Sequence, residues 1–252
     1  MNEIPLQLKA APIIEAVLDI DCDMPLTMDF PALEASARAV FGERYPKFQP
    51  QYWQEFMFET PADGDAKVTN NSRGVQAFQF LQEDGKQLVQ LRTQGYSFNR
   101  LAPYESLDDY LPEMERTWRL FVEIAKPVKV RTIRLRYINR ILLPLEAGRV
   151  DFKAYLIHGP SLPTEEGLDF TGFVHQHMAA EVGTGNQVHL VLAGQAPEAD
   201  RLPVIFDIQA FISGDVETSD WNGILSRIES LRRLKNLVFR KSLTEKCLQL
   251  FQ

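Results

Sequence analysis

In the run Val130–Leu143, the residues Ile133, Leu135, Tyr137 and Ile141 fall on one parity, and Arg134, Arg136 and Arg140 on the other. Side chains of an extended strand point alternately to its two faces, so this segment reads as a long strand with one apolar face and one guanidinium-bearing face. Pro12–Cys22 repeats the pattern, with Ile14, Ala16, Leu18 and Ile20 against Glu15, Val17, Asp19 and Asp21. Half-buried strands of this kind belong to sheets that are covered by helices on one side and open on the other.

The rest of the chain supplies those partners. Asp29 is positioned to cap a helix that runs to Phe41 and stops at Gly42. Tyr52–Thr60, Val75–Leu81 and Leu88–Phe98 read as strands, the last two joined by a Glu83-Asp84-Gly85 hairpin. Ser106 or Asp108 opens a second helix, which Lys126-Pro127 closes. A second pass through the same plan follows. Val130–Leu143 is a strand, Asp151–Leu156 a short helix, and Phe170–Glu181, Gln187–Leu192 and Val204–Ser213 are strands, the first two linked by Gly183-Thr184-Gly185-Asn186. From Trp221 runs a long amphipathic helix with Ile224, Ile228, Leu231 and Val238 inside, and Arg227, Arg232, Lys235 and Arg240 mostly outside. Ser242-Leu243-Thr244-Glu245 has the form of a capping box. The expected fold is α+β: a duplicated β-α-β-β-β-α unit forming one long curved antiparallel sheet with helices on one face. Pro25-Leu26, Asp29-Phe30 and Ala32 echo Pro144-Leu145, Asp151-Phe152 and Ala154. No linker intervenes, so residues 1–252 are expected to form one domain of two pseudo-repeats, about 10–127 and 128–252.

Composition removes several classes. With 252 residues, 45% hydrophobic and 24% charged, the chain is neither disordered nor short of a core. Two cysteines, Cys22 and Cys247, exclude a disulfide framework and favour the cytoplasm. The start lacks the apolar core of a signal peptide, and Val182–Pro197, the longest uncharged stretch, is too rich in Gly and Gln to span a membrane. A net charge of −7 argues against broad binding to nucleic acid but leaves room for a local basic patch.

Two constellations are candidates for a site. Arg134, Arg136 and Arg140, extended by Arg92 beside Gln90 and Gln94, form a basic stripe suited to phosphates. The competing structural reading pairs that stripe with Glu15, Asp19 and Asp21 across neighbouring strands. His175, His177 and His189, with Asp207 near, offer ligands for a catalytic Zn²⁺, although a two-residue turn would set His189 opposite Ala180. Asp19–Asp23 lacks the Gly and Glu of a calcium loop. The sequence contains no phosphate-cradling loop, nucleophile elbow, H-E-x-x-H or C-x-x-C motif, and neither cysteine is placed as a nucleophile. No catalytic residue and no cofactor is therefore assigned.

Ala11-Pro12-Ile13-Ile14-Glu15-Ala16, Leu135-Arg136-Tyr137-Ile138-Asn139-Arg140 and Phe239…Leu243-Thr244-Glu245…Phe251 together resemble a sporadically distributed bacterial family of uncharacterised proteins of about this length. The resemblance implies that Glu15, Arg136, Tyr137 and Asn139 matter, and it implies no activity. Arg134 stands where that pattern carries a small residue, which leaves Arg136 the firmer site residue. The family's patchy distribution points to mobile or defence-linked genes. Alternation separately places Tyr137 and Asn139 beneath the helices, where Asn139 is expected to tie a helix end or loop to the sheet. The expected function is a non-enzymatic cytoplasmic module that holds a partner protein with its open sheet face or its long C-terminal helix, in a toxin-neutralising or defence setting. The alternatives are nucleic-acid or phosphate-ligand binding on the Arg face and a metal-dependent hydrolase built on the histidines. Neither a membrane association nor an oligomeric state is assigned.

Overall fold

The computed structural model describes residues 8–59, 67–160 and 172–252. In chain order the elements are β1 (Ile13–Asp23), α1 (Leu33–Phe41), β2 (Lys47–Glu59), β3 (Lys67–Leu81), β4 (Gln87–Arg92), β5 (Gly95–Leu101) and α2 (Leu107–Ala125). There follow β6 (Lys129–Pro144), α3 (Phe152–Tyr155), β7 (Val174–Ala180), β8 (Gln187–Gly194), β9 (Arg201–Val216), α4 (Trp221–Ser242) and α5 (Glu245–Leu248). The strands form one antiparallel sheet in the order β2-β3-β4-β5-β1-β6-β9-β8-β7. The fold is α+β, and the two strands with the clearest alternation, β1 and β6, are neighbours at its middle.

The register explains how alternation becomes a core. A single row of paired residues crosses all nine strands: Phe48, Phe80, Val89, Phe98, Leu18, Leu135, Ala210, Val188 and Ala179. Every member is apolar, and the long helices pack on this face. Phe41 of α1 meets Phe80 at 5.3 Å, Trp118 and Phe121 of α2 meet Tyr96 at 5.6 and 5.8 Å, and Phe239 of α4 stacks on Phe206 at 5.9 Å. The adjacent row on the other face, Lys47-Leu81-Leu88-Asn99-Val17-Arg136-Gln209-His189-Met178, is mostly polar. A one-residue shift of register would exchange the two rows, which is why the pattern fixes the pairing.

Four local expectations need correction. The run Leu88–Phe98 is two strands, because Thr93 and Gln94 form a two-residue hairpin between Arg92 and Gly95. Thr-Gln carries no turn signature, and the turn swaps parity, so that Val89 and Leu91 before it share a face with Tyr96 and Phe98 after it. The first half therefore has four strands after its helix, not three. Helix α1 begins at Leu33 rather than Asp29, whose carboxylate reaches only the Ala32 N–H, at 3.4 Å. The last cap is Thr244, which accepts from the Cys247 N–H at 3.2 Å, while Ser242 still belongs to α4. The expected strand ends at Thr60 and Phe170 lie outside the described residues. Among the described residues no helix is long and apolar enough to cross a membrane.

Candidate functional site

The open face carries an extended polar network. Gln79 donates to Gln90 at 2.9 Å, Gln90 to Asn99 at 2.9 Å, and Asn99 to Glu15 at 2.7 Å, a relay of amides over four strands. Ser97 donates to Asp19, and Arg92 reaches Asp21 at 2.8 Å and Asp19 at 3.7 Å. Arg134 pairs with the second oxygen of Asp21, and Arg140 meets Glu198 at 2.5 Å. Arg136 makes a fork onto Asp207 of β9, at 2.9 and 2.6 Å, and these bonds raise its pKa further above the usual arginine value. Because β1 and β6 are neighbours, the acidic and basic stripes do meet. Their partners still differ from a simple β1–β6 ladder: Glu15 goes to an amide, and Arg136 goes to the strand on its other side. All four arginines of the stripe are thus neutralised by carboxylates. Their half-buried forks lend rigidity to the sheet, each cross-strand pair contributing about 0.2–1 kcal/mol.

The histidines do not converge as a set. His175 and His177 stand opposite Leu192 and Leu190 on the helix-side parity, whereas His189 pairs with Gln209 and Met178 on the open face. The hairpin loop runs from Glu181 to Asn186, so His189 faces Met178 and not Ala180. His177 instead has His158 as a ring neighbour at 6.2 Å. Among the described residues no group of three His, Cys, Asp or Glu side chains is arranged to hold a metal ion. Cys22 and Cys247 are buried, and burial pushes both thiols up to about 12, so neither is a poised nucleophile.

The strand β7 forms one edge of the sheet, and among the described residues nothing pairs with its outer side. Its sequence, Val174–Ala180, contains no Lys, Arg, Asp, Glu or Pro, and Val174 and Met178 are each 69% exposed. The opposite edge, β2, carries Lys47 and Pro50. Charges and proline are the usual means of blocking an edge from further pairing, and β7 has none.

Sequence reasoning missed a pocket of about 950 Å³ on the helix-covered side, lined by the leading segment Leu8–Ile13, the start of α2 and the second half of α4. Its wall brings together Tyr104, Tyr137, Asn139, Arg232, Lys235 and Asn236. The Tyr104 and Tyr137 hydroxyls share a hydrogen bond of 2.8 Å, and burial drives both phenols upward, Tyr137 to about 12. Asn139 is buried and donates to the Tyr137 and Phe206 carbonyls at 3.3 and 2.9 Å, so it braces β6 against β9 and does not hold a helix end. Arg232 is held by Asp108 in the first turn of α2 through two bonds of 2.7 and 2.9 Å. Lys235, one turn further along, has its ammonium 3.8 Å from the Tyr137 ring centre and, among the described residues, no carboxylate in ion-pairing range. Burial, helped by the charge of Arg232, pulls its pKa down to about 7.

A signal for this lysine is present in the sequence. Ile228, Leu231, Phe239 and Ser242 are buried on α4, and Lys235 lies four residues from both Leu231 and Phe239. With Val238 as the inner residue Lys235 still falls on the apolar side of α4, so only its charge points it outward.

No protein-family model matches the chain, and no curated protein or solved structure is significantly similar to it.

Proposed function

We propose that this protein is a non-enzymatic binding module that takes up a strand of a partner protein along the β7 edge of its sheet. The observation that carries this reading is the uncharged and proline-free β7, whose outer side pairs with nothing among the described residues, with Val174 and Met178 exposed on it. Strand addition satisfies the free backbone groups of such an edge, and alternate side chains supply selectivity. The nucleic-acid alternative draws less support. The four arginines of the open face stand among Glu15, Asp19, Asp21, Asp207 and Glu198, so no net positive field is left for a polyanion. We place the module in the bacterial cytoplasm, in a toxin-neutralising or defence system, on the sequence resemblance and the lack of disulfides.

The same reading treats the chain as two related halves, about 10–127 and 128–252. Each begins with a central strand, β1 or β6, is flanked by the last strand of its own half, β5 or β9, and is followed by a long helix. An added strand in the first half sets the two apart.

Affinity capture from the native host tests the function, with wild type, Met178→Lys and Arg136→Ala run with and without nuclease. Supporting data are one polypeptide held in stoichiometric amount by wild type and Arg136→Ala, unaffected by nuclease and lost with Met178→Lys. A partner lost only with Arg136→Ala moves the interface to the open face and overturns the edge assignment. Nucleic acid as the sole captured species overturns protein binding altogether.

A further inference from the structure

The pocket beneath α2 and α4 lies on the other side of the sheet from the polar network, and the edge-binding reading makes no use of it. We infer that it binds a small organic anion, a carboxylate or phosphomonoester on an apolar body, whose charged end is met by Lys235. Several half-buried cations in the described structure meet a carboxylate, as Arg92, Arg116, Arg134, Arg136 and Arg232 do, while Arg100 and Arg227 are held by main-chain carbonyls. Lys235 has neither a carboxylate nor a carbonyl partner among the described residues, only the Tyr137 ring, and it lines a cavity of about 950 Å³. Removing an ammonium from water without an anion is costly, and the quadrupole of the Tyr137 ring offsets only part of that cost. A ligand carboxylate or phosphate would complete the pair.

The surroundings match such a ligand in polarity and size. In the Tyr104–Tyr137 pair one hydroxyl donates to the other, which leaves one phenolic proton for an acceptor in the pocket. Asn236 adds an amide to the wall, and Leu8, Ile13 and Phe239 give an apolar bed for the rest of the molecule. The volume is that of sites for single small molecules. The other charged groups do not cancel Lys235. Asp108 is bound by Arg232, and the exposed Lys9 and Glu105 offset one another.

An anion favours the ammonium over the neutral amine, so binding and the Lys235 proton are linked. The titratable or charged groups facing it are Arg232 on its own helix, Asp108 of α2, Tyr104 and Glu105 before α2, Tyr137 of β6 and Lys9 of the leading segment. Both tyrosines are held well above neutral pH, and Arg232 stays charged, which leaves Lys235 as the pocket group that changes charge between pH 6.5 and 8.5.

Isothermal titration of the full chain with octanoate and with phenyl phosphate tests the assignment and separates the two headgroups. Binding of either probe at one site is expected, weakening at least several-fold from pH 6.5 to 8.5 with proton uptake at the higher pH. Lys235→Met and Lys235→Gln, each verified as folded by circular dichroism, should weaken it at least tenfold and remove the pH dependence. Absence of binding by both probes to wild type overturns the inference. So does affinity that is flat with pH in wild type, a result that needs no variant, or affinity unchanged in a folded Lys235 variant.

Discussion

Asn139 and Lys235 line the same pocket, and the protein treats their polarity in opposite ways. Asn139 spends its amide donors on two main-chain carbonyls, so it is buried at little net cost. Lys235 holds a charge that burial opposes, and stability should record this. Its proton leaves near pH 7 in the native state and near 10.5 in the unfolded chain. Between those values the unfolded state binds more protons, so the contribution of Lys235 to stability rises with pH, and below about 7 its penalty is fully present. Urea midpoints of wild type and Lys235→Met measured from pH 6 to 10 should show wild type gaining on the variant from pH 7 upward. A constant difference over that range would mean that the ammonium is not desolvated. Comparison with the variant removes the contributions of the other titrating groups.

At the scale of elements, the sheet depends on close approaches that only particular residues permit. Gly95 opens β5 at a φ of +146°, and a Cβ there would lie 2.1 Å from the Ile20 carbonyl oxygen of β1. Gly85, in the β3–β4 turn, also has a positive φ, +69°, but a Cβ there would meet nothing within 4 Å. Gly95→Ala should therefore cost about 3 kcal/mol or more, since backbone strain and a clash with a central strand add. Gly85→Ala should cost only about 1 kcal/mol, the strain alone. Chemical denaturation of the two variants checks the ranking, and equal costs would deny that β5 is seated by the absence of a side chain at position 95. The same scale distinguishes the two edges: β2 carries Lys47 and Pro50, whereas β7 has no charged residue or proline.

Across the whole molecule, the core is one cluster reaching from Phe41 and Phe80 on one side to Val188 and Leu192 on the other. Ties between distant segments reinforce it. The Trp118 indole of α2 donates to the Thr218 carbonyl just before α4 at 3.1 Å, and Arg232 of α4 clasps Asp108 of α2. With β1 and β6 paired along most of their length, residues 10–127 and 128–252 share one core and one sheet. Urea unfolding followed by tryptophan fluorescence and by far-UV circular dichroism should give coincident single transitions. Two separated transitions would show that the halves are independent folding units in spite of the continuous sheet.

Much of the local structure was legible because its causes are local. Period-two alternation in β1 and β6 assigned Leu18, Leu135 and Tyr137 to one face and Asp19, Arg134 and Arg136 to the other. Ser106, Asp151, Asp84-Gly85 and Gly183–Asn186 marked helix starts and turns through their own backbone chemistry. Alternation gives a residue its face but not its neighbour, and there the reading from sequence stopped. Asp207, 71 residues from Arg136, became its partner because β9 rather than another strand lies beside β6. The Thr93-Gln94 turn was hidden because its residues carry no turn preference and the close packing of Gly95 on Ile20 imposes the bend from outside. His189 parted from His177 through the length of one hairpin loop. The sequence by itself determined strands, helices, their faces and the burial of an apolar row, all consequences of short-range periodicity. The tertiary structure alone decided which charges were neutralised, which strands form the sheet edges and that Lys235 would face a cavity, because each depends on strand order and helix rotation set by contacts far apart in the chain.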